Sequence, residues 1–143
     1  MEYGHTFEHV RDITELEWAK LITRVFTAIE NLPLYTATAG GKYSAEPLRN
    51  QIAGNNGVIP LQNPIAVLDK PDGARERIVF NGTTGPSGRS LTGEDFVFTP
   101  DRLANACVDT QRKPYDFLVC VTLILADHFA PGAKAISSMG GVS

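Results

Sequence analysis

The amino-acid sequence predicts an α+β fold, in which an antiparallel or mixed sheet of about five strands carries an N-terminal amphipathic helix and a buried C-terminal helix. Three observations predict it. Apolar residues recur at helical spacing near the N-terminus, short β-rich segments fill the middle of the chain, and an almost wholly apolar segment lies near the C-terminus. No internal repeat or heptad run is present, so we expect one domain over residues 1–143.

The first helix begins at a capping-box pattern, in which Thr14 is followed by Glu17. Pro33 ends it. Between them the apolar residues at helical spacing are Trp18, Leu21, Ile22, Val25, Phe26, Ile29 and Leu32. A short edge strand, residues 7–10, is expected before this helix. Within the helix, Arg24 lies beside the apolar face.

The middle of the chain alternates between apolar segments and turn residues, as strands do. The strand predictions, in order, are residues 35–39, 58–59, 65–68, 75–81 and 94–98, with a short helix at 46–53. We expect the last two strands to form a hairpin across the glycine-rich segment 82–93. A loop of that length is typically mobile or functional and could close over a ligand. It lacks the GK[ST] pattern of a phosphate-binding loop, which excludes a Walker-type nucleotide hydrolase.

The segment Asp109–Asp116 joins the sheet to the last helix. Pro114 suits the first helical position, and residues 115–129 are interrupted by only three polar residues. A helix that is apolar nearly all round belongs in a core or between subunits, so we expect a homo-oligomer. The helix start with Arg112 and Lys113 beside it predicts an anion site, although a solvated turn is the alternative. A helical turn at 101–107 and a final strand at 133–138 complete the prediction.

Composition excludes several classes of protein. The chain has 43% hydrophobic and 20% charged residues, a formal net charge of −3 and a sequence pI of about 5.5. This acidic balance argues against a nucleic acid polymer as partner. The apolar run 117–126 is too short to span a bilayer, and the N-terminus lacks a signal-peptide pattern. Two cysteines without CxxC spacing fit a reducing compartment, so we expect a cytoplasmic protein without a membrane partner.

No catalytic or metal-binding pattern is evident. The three histidines show no HExxH or His/Cys metal spacing, so we predict no metal, and nothing indicates a cofactor. No GxSxG elbow is present. Glu94 and Asp95 are adjacent strand residues that point to opposite faces, so they are not expected to act as a pair. These candidate side chains favour a binding protein over an enzyme.

Four motifs resemble a group of short phage and prophage proteins: His9-Val-Arg11, Phe80-Asn-Gly82, the central Thr110-Gln-Arg-Lys-Pro-Tyr-Asp116, and Ile136-Ser-Ser138. The group's usual Ser-Ser-Asp-Gly is Ser-Ser-Met-Gly here, so any role of that acid is absent or moved. The chain also resembles the first anti-Thoeris family, phage sponges that sequester cyclic ADP-ribose isomers without cleaving them. Related assemblies capture the cyclic oligonucleotides of CBASS-type defence.

That resemblance implies a non-enzymatic anti-defence protein in the cytoplasm of an infected bacterium, with a small cyclic nucleotide as its ligand. By order and spacing, the family's contacts would fall on Arg24, Phe80 and Arg112. Phosphates suit guanidinium groups and a helix start, and aromatic rings stack on bases. The full set of predicted ligand contacts is Arg112, Lys113, Tyr115, Asp116, Arg24, Phe80 and Asn81. Two alternatives stay open: a protein-binding inhibitor of a host factor, and a small nucleotide-processing enzyme.

Overall fold

The computed structural model confirms the α+β fold. It describes residues 4–32, 48–54, 68–70, 76–83, 91–101, 107–111 and 113–139. In these residues, two α-helices and two antiparallel sheets share one hydrophobic core. None of the helices so described is long and apolar enough to cross a membrane.

The first sheet has three strands and is centred on the N-terminal strand. Strand β1 (Gly4–His9) lies between β6 (Cys107–Asp109) and β7 (Lys134–Met139), and both pairings are antiparallel. Alternation along β1 buries His5 and Phe7 on one face. The predicted final strand is confirmed as β7. Cys107, which was predicted to end a helical turn, instead begins β6; residues 102–106 of that turn lie outside the described part.

The second sheet is organised around strand β4 (Arg77–Gly82). It pairs antiparallel with β2 (Ile52–Ala53), β3 (Leu68–Asp69) and β5 (Phe96–Phe98), and a 3-10 turn (Leu48–Gln51) precedes β2. The predicted β4–β5 hairpin is confirmed. The strands predicted at 35–39 and 58–59 fall outside the described residues, as does most of 65–68.

The single five-stranded sheet that we predicted is therefore two smaller sheets. The difference arises because β1 pairs with segments more than 95 positions away in the sequence rather than with the central hairpin. Local patterns carry no information about such long-range pairing.

Helix α1 (Glu15–Glu30) forms as predicted. Thr14 Oγ1 accepts from the Glu17 N–H at 3.2 Å, and Glu17 Oε1 accepts from the Thr14 N–H at 3.0 Å, which completes the capping box. Arg11 adds two hydrogen bonds to the Glu17 carboxylate, at 2.9 and 3.1 Å. The buried face of α1 consists of Trp18, Leu21, Val25 and Ile29.

Helix α2 (Asp116–Phe129) is the predicted buried helix, and it packs against α1. It begins one residue later than the predicted 115–129, because Lys113, Pro114 and Tyr115 form a turn in which the Lys113 carbonyl accepts from the Asp116 N–H at 2.9 Å. Only one face enters the core. On the opposite face Ile124 is 68% exposed and Phe117 is 40% exposed.

Aromatic rings connect the two sheets and the helices. The ring of Phe7 on β1 lies 5.6 Å from the rings of both Phe96 and Phe98 on β5. Trp18 of α1 stacks on Phe98 at 6.3 Å, and Phe80 of β4 contacts Phe96 at 4.9 Å. Each such pair contributes about 0.5–1.5 kcal/mol beyond the burial of its surface.

We predict that Glu17 makes stability depend on pH in the acid range. The hydrogen bond from Arg11 and the bond from the Thr14 N–H lower the pKa of Glu17 to about 2, against an unfolded value of about 4.3. The contribution of Glu17 to the free energy of unfolding is complete at pH values above its unfolded pKa, and it is lost as the pH falls towards 2. Glu17→Gln keeps the capping-box pattern but removes the charge.

The melting temperature of Glu17→Gln should therefore lie below that of the wild type at pH 7, and the two should converge near pH 2. Thermal unfolding followed by circular dichroism between pH 2 and pH 7 measures this difference. Glu15→Gln, in the same helical turn but outside the capping box, is the matched control. Parallel wild-type and Glu17→Gln curves would contradict the prediction.

Candidate functional site

A cluster of polar side chains lies where β1, β7 and the start of α2 meet. His5 of β1 is the centre, and its side chain is 1% exposed. The surrounding groups are Ser138 of β7, Asp116 and Cys120 of α2, and, behind Asp116, Thr110. None of the motifs singled out in the sequence contains all of these residues.

Local geometry explains why these side chains converge. His5 and Ser138 are direct cross-strand partners, so their side chains occupy the same face of the sheet. Asp116 and Cys120 are four residues apart on α2, which places them on one side of the helix. The helix therefore offers a carboxylate and a thiol to the histidine of the central strand.

The histidine bridges two elements by short hydrogen bonds. His5 Nε2 lies 2.6 Å from Asp116 Oδ1, and His5 Nδ1 lies 2.6 Å from Ser138 Oγ. Thr110 Oγ1 donates to Asp116 Oδ1 at 2.7 Å. Cys120 Sγ lies 3.6 Å from Asp116 Oδ2 and 3.8 Å from His5 Nε2. The group thus combines three classes of metal-binding or acid–base side chain within a few ångströms.

Burial and hydrogen bonding act differently on the two groups from α2. Burial alone would raise the pKa of the Asp116 carboxyl, but hydrogen bonds from His5 and Thr110 outweigh it, so this pKa lies below its usual value. Burial, reinforced by the neighbouring Asp116 carboxylate, raises the pKa of Cys120 to about 12. At neutral pH the site therefore holds a carboxylate and a protonated thiol.

A pocket opens beside the cluster, with a cavity volume of about 390 Å³. Its polar lining residues include His5, Cys120, Asp127 and Ser138, and its apolar lining consists of Leu123, Ile124 and Ile136. The cluster is therefore reachable from a recess large enough for water or a small ligand.

The order Ser138–His5–Asp116 resembles a serine hydrolase triad, but the ring nitrogens are exchanged, since Nδ1 faces the serine and Nε2 faces the aspartate. Ser138 lies within β7, however, and its neighbours Ser137 and Met139 are paired with Thr6 and Gly4 of β1. This position differs from the sharp strand-to-helix turn that exposes a nucleophilic serine in α/β-hydrolases. The set His5, Asp116 and Cys120 is also a candidate metal-binding group, because its ligand atoms all lie within 4.8 Å of one another.

Among the described residues that were predicted to contact a ligand, only Asp116 joins this cluster. Arg112 lies outside the described residues, Lys113 is half-buried in the turn before α2, and Arg24 is exposed on α1. Tyr115 is fully buried, and its hydroxyl donates to the Glu94 carbonyl at 2.6 Å.

Phe80 and Asn81 occupy structural positions on β4. The Phe80 ring is fully buried and meets Tyr115 edge to face, so a base could stack on either ring only after the core had opened. Asn81 spans the base of the segment 82–93: its side chain donates to Gly93 O at 3.0 Å and accepts from Gly93 N at 3.0 Å. Gly82 suits this closure, because a Cβ there would lie 1.9 Å from Leu91 O.

Sequence reasoning missed His5, Cys120 and Ser138 as site residues. Asp116 and Cys120, one helical turn apart, were a usable signal. His5 is separated from Asp116 by 111 positions and from Ser138 by 133, so no spacing rule connects them. Only the pairing of β1 with β7 and the packing of α2 create the cluster.

Comparison with known proteins gives a weak but consistent similarity. No protein-family model matches the chain, and no solved structure matches it. The ribosome biogenesis protein YTM1 of Scheffersomyces stipitis is 27% identical over 92 residues, which cover 64% of this chain and 20% of that protein. YTM1 of Saccharomyces cerevisiae is 24% identical over 87 residues, which cover 61% of this chain and 19% of that protein. The chain thus spans about a fifth of the length of these relatives.

These matches overturn the function predicted from resemblance. The similar proteins are named for ribosome biogenesis in yeasts, and none is a phage anti-defence protein. The predicted family, the sequestration of a cyclic nucleotide and the small cyclic nucleotide partner were therefore wrong. The physical reason is that short motifs such as the one before α2 also serve local structure: Tyr115 and Asp116 anchor the turn and the helix start.

We predict that the two cysteines differ in reactivity. Cys107 is exposed, whereas Cys120 is half-buried and its raised pKa keeps the thiol protonated at neutral pH. Alkylation with iodoacetamide at pH 7.5, followed by peptide mass spectrometry, should modify Cys107 at least about tenfold faster. Asp116→Asn should accelerate the modification of Cys120 in a protein whose circular dichroism is unchanged. Equal rates in the wild type would contradict the assignment.

Proposed function

We propose that this chain is a binding module that acts in ribosome assembly through contacts with a protein, without catalytic turnover. The observation that carries the proposal is the similarity of 92 of its residues to YTM1, a ribosome biogenesis protein. Because the chain matches only a fifth of that protein, the proposal concerns a module rather than the activity of the whole relative.

The exposed face of α2 supports a protein partner. Phe117 and Ile124 are seven residues apart, which is close to two helical turns, so they lie on the same side of the helix. Cys120 and Val121 lie between them and are partly exposed. We call Phe117, Cys120, Val121 and Ile124 the α2 stripe. An apolar stripe of this kind is typical of helices that contact another protein.

Charge supports a protein rather than an RNA surface as the direct contact. The formal net charge is −3, and phosphate backbones are bound mainly through clusters of lysine and arginine. The residues of the α2 stripe carry no charge. Asp127 and His128 follow the stripe at the end of the helix, where they provide a polar rim.

The state of the nucleophilic side chains favours binding over turnover. The Cys120 thiol is protonated at neutral pH, which removes its nucleophilic form. Ser138 lies within a paired strand and not at a nucleophile elbow.

We predict that the epitope-tagged chain, expressed in Saccharomyces cerevisiae, co-sediments with ribosomal precursor particles in a sucrose gradient. Ile124→Asp should move it to the soluble fractions, because the new charge would have to be desolvated at the contact. Leu16→Asp is the matched control: Leu16 of α1 is 67% exposed, compared with 68% for Ile124, and should tolerate the change.

Two results would contradict this function. The first is a wild-type chain that stays at the top of the gradient although it is folded. The second is equal loss of co-sedimentation in both variants, which would indicate that the association does not depend on the α2 stripe.

A further inference from the structure

We propose that His5, Asp116 and Cys120 bind one divalent transition-metal ion, preferentially zinc, at the bottom of the pocket between β1, β7 and α2. The ligand atoms would be His5 Nε2, Asp116 Oδ2 and Cys120 Sγ. This inference is independent of the role in ribosome assembly, because it rests only on the geometry of the polar cluster.

The distances between the ligand atoms fit a tetrahedral ion. Zinc bonds of about 2.3 Å to sulfur and about 2.0–2.2 Å to nitrogen or oxygen place neighbouring ligand atoms about 3.4–3.6 Å apart. Cys120 Sγ lies 3.6 Å from Asp116 Oδ2 and 3.8 Å from His5 Nε2. All three ligand groups lie within 4.8 Å of one another. Both distances from Cys120 Sγ therefore lie within a few tenths of an ångström of the tetrahedral values.

Asp116 offers one oxygen to the ion and keeps the other for the protein. Oδ1 already accepts hydrogen bonds from His5 and from Thr110, at 2.6 and 2.7 Å, whereas Oδ2 faces Cys120. On metal binding, the Nε2–Oδ1 hydrogen bond would be replaced by the two metal bonds, and Thr110 would continue to orient the carboxylate. The thiol proton would leave to solvent, since zinc binds cysteine as the thiolate.

The remaining hydrogen bond of His5 is already in place. Metal-binding histidines nearly always donate their second ring N–H to a neighbouring acceptor, which fixes the tautomer and the ring orientation. His5 Nδ1 lies 2.6 Å from Ser138 Oγ, and the serine hydroxyl can accept from the Nδ1–H that the metal-bound tautomer carries. Two of the three proposed ligands thus have a hydrogen-bond partner beyond the ion, which is Ser138 for His5 and Thr110 for Asp116.

The ligand types and the pocket indicate which ion. One thiolate, one imidazole and one carboxylate form a mixed set that suits zinc, whereas calcium and magnesium prefer oxygen ligands. The cavity of about 390 Å³ beside His5 and Cys120 gives the ion a path and leaves room for a water as the fourth ligand. Metal binding would then tie the first strand of the chain to α2.

The test is titration of the tag-free, chelator-treated protein with zinc and with cobalt. We expect one equivalent of zinc to bind and, at 100-fold excess over Kd, to raise the melting temperature by about 5–10 °C. Cobalt should give a thiolate-to-metal charge-transfer absorption band. Cys120→Ser should abolish that band and weaken zinc binding more than Ser138→Ala, for which about a 10–100-fold loss is expected.

Cys107→Ser is the matched control, because Cys107 is exposed and is not a proposed ligand. Its cross-strand partner is Thr6, whose side chain points to the opposite face of the sheet from that of His5. It should retain full affinity and the cobalt band. His5→Asn should also lose zinc binding; if it does not fold, Cys120→Ser and the cobalt spectrum still decide. Absence of stoichiometric binding to the folded wild type, or equal binding by Cys120→Ser and the wild type, would overturn the proposal.

Discussion

The structure depends most on the packing of aromatic rings between its two sheets. Neither sheet is large enough to form a core alone, and each must bury one face against another layer. Phe7 of β1 meets Phe96 and Phe98 of β5, so the central strand of one sheet is held against an edge of the other. Trp18 of α1 stacks on Phe98, so α1 packs against the same aromatic cluster. Loss of one of these rings would leave a cavity where the layers meet, and truncation of a buried Phe or Trp typically costs about 3–5 kcal/mol.

Asp116 is the polar counterpart of this core. A carboxylate that is largely removed from water is stabilised only if donors surround it, and His5 and Thr110 supply them. These bonds join β1 and the end of β6 to the start of α2. The same requirement brings Cys120 beside His5, one turn further along the helix. A site with metal-binding chemistry is therefore a direct consequence of how the second helix is attached to the first sheet.

The two proposals share one side of α2, because Cys120 belongs to the α2 stripe and is also a proposed metal ligand. The α2 stripe presents Phe117 and Ile124 to solvent, while the start of the helix directs Asp116 towards His5. Because Ile124 also lines the pocket, an ion bound by the cluster would stiffen the surface offered to a protein partner. The proposed role in ribosome assembly rests on the similarity to YTM1, whereas the proposed metal site rests on the geometry of the cluster.

The sequence by itself determined the elements whose causes are local. The capping box of Thr14 and Glu17, the buried face of α1, the β4–β5 hairpin and the final strand all follow from periodicity and turn chemistry within a few residues. Tertiary structure alone decided that the strands form two sheets, that Phe80 and Tyr115 lie in the core, and that His5 meets Ser138 and Asp116. Those outcomes depend on contacts between residues more than 30 positions apart, and the free energy of such contacts comes from packing and desolvation that no local pattern encodes.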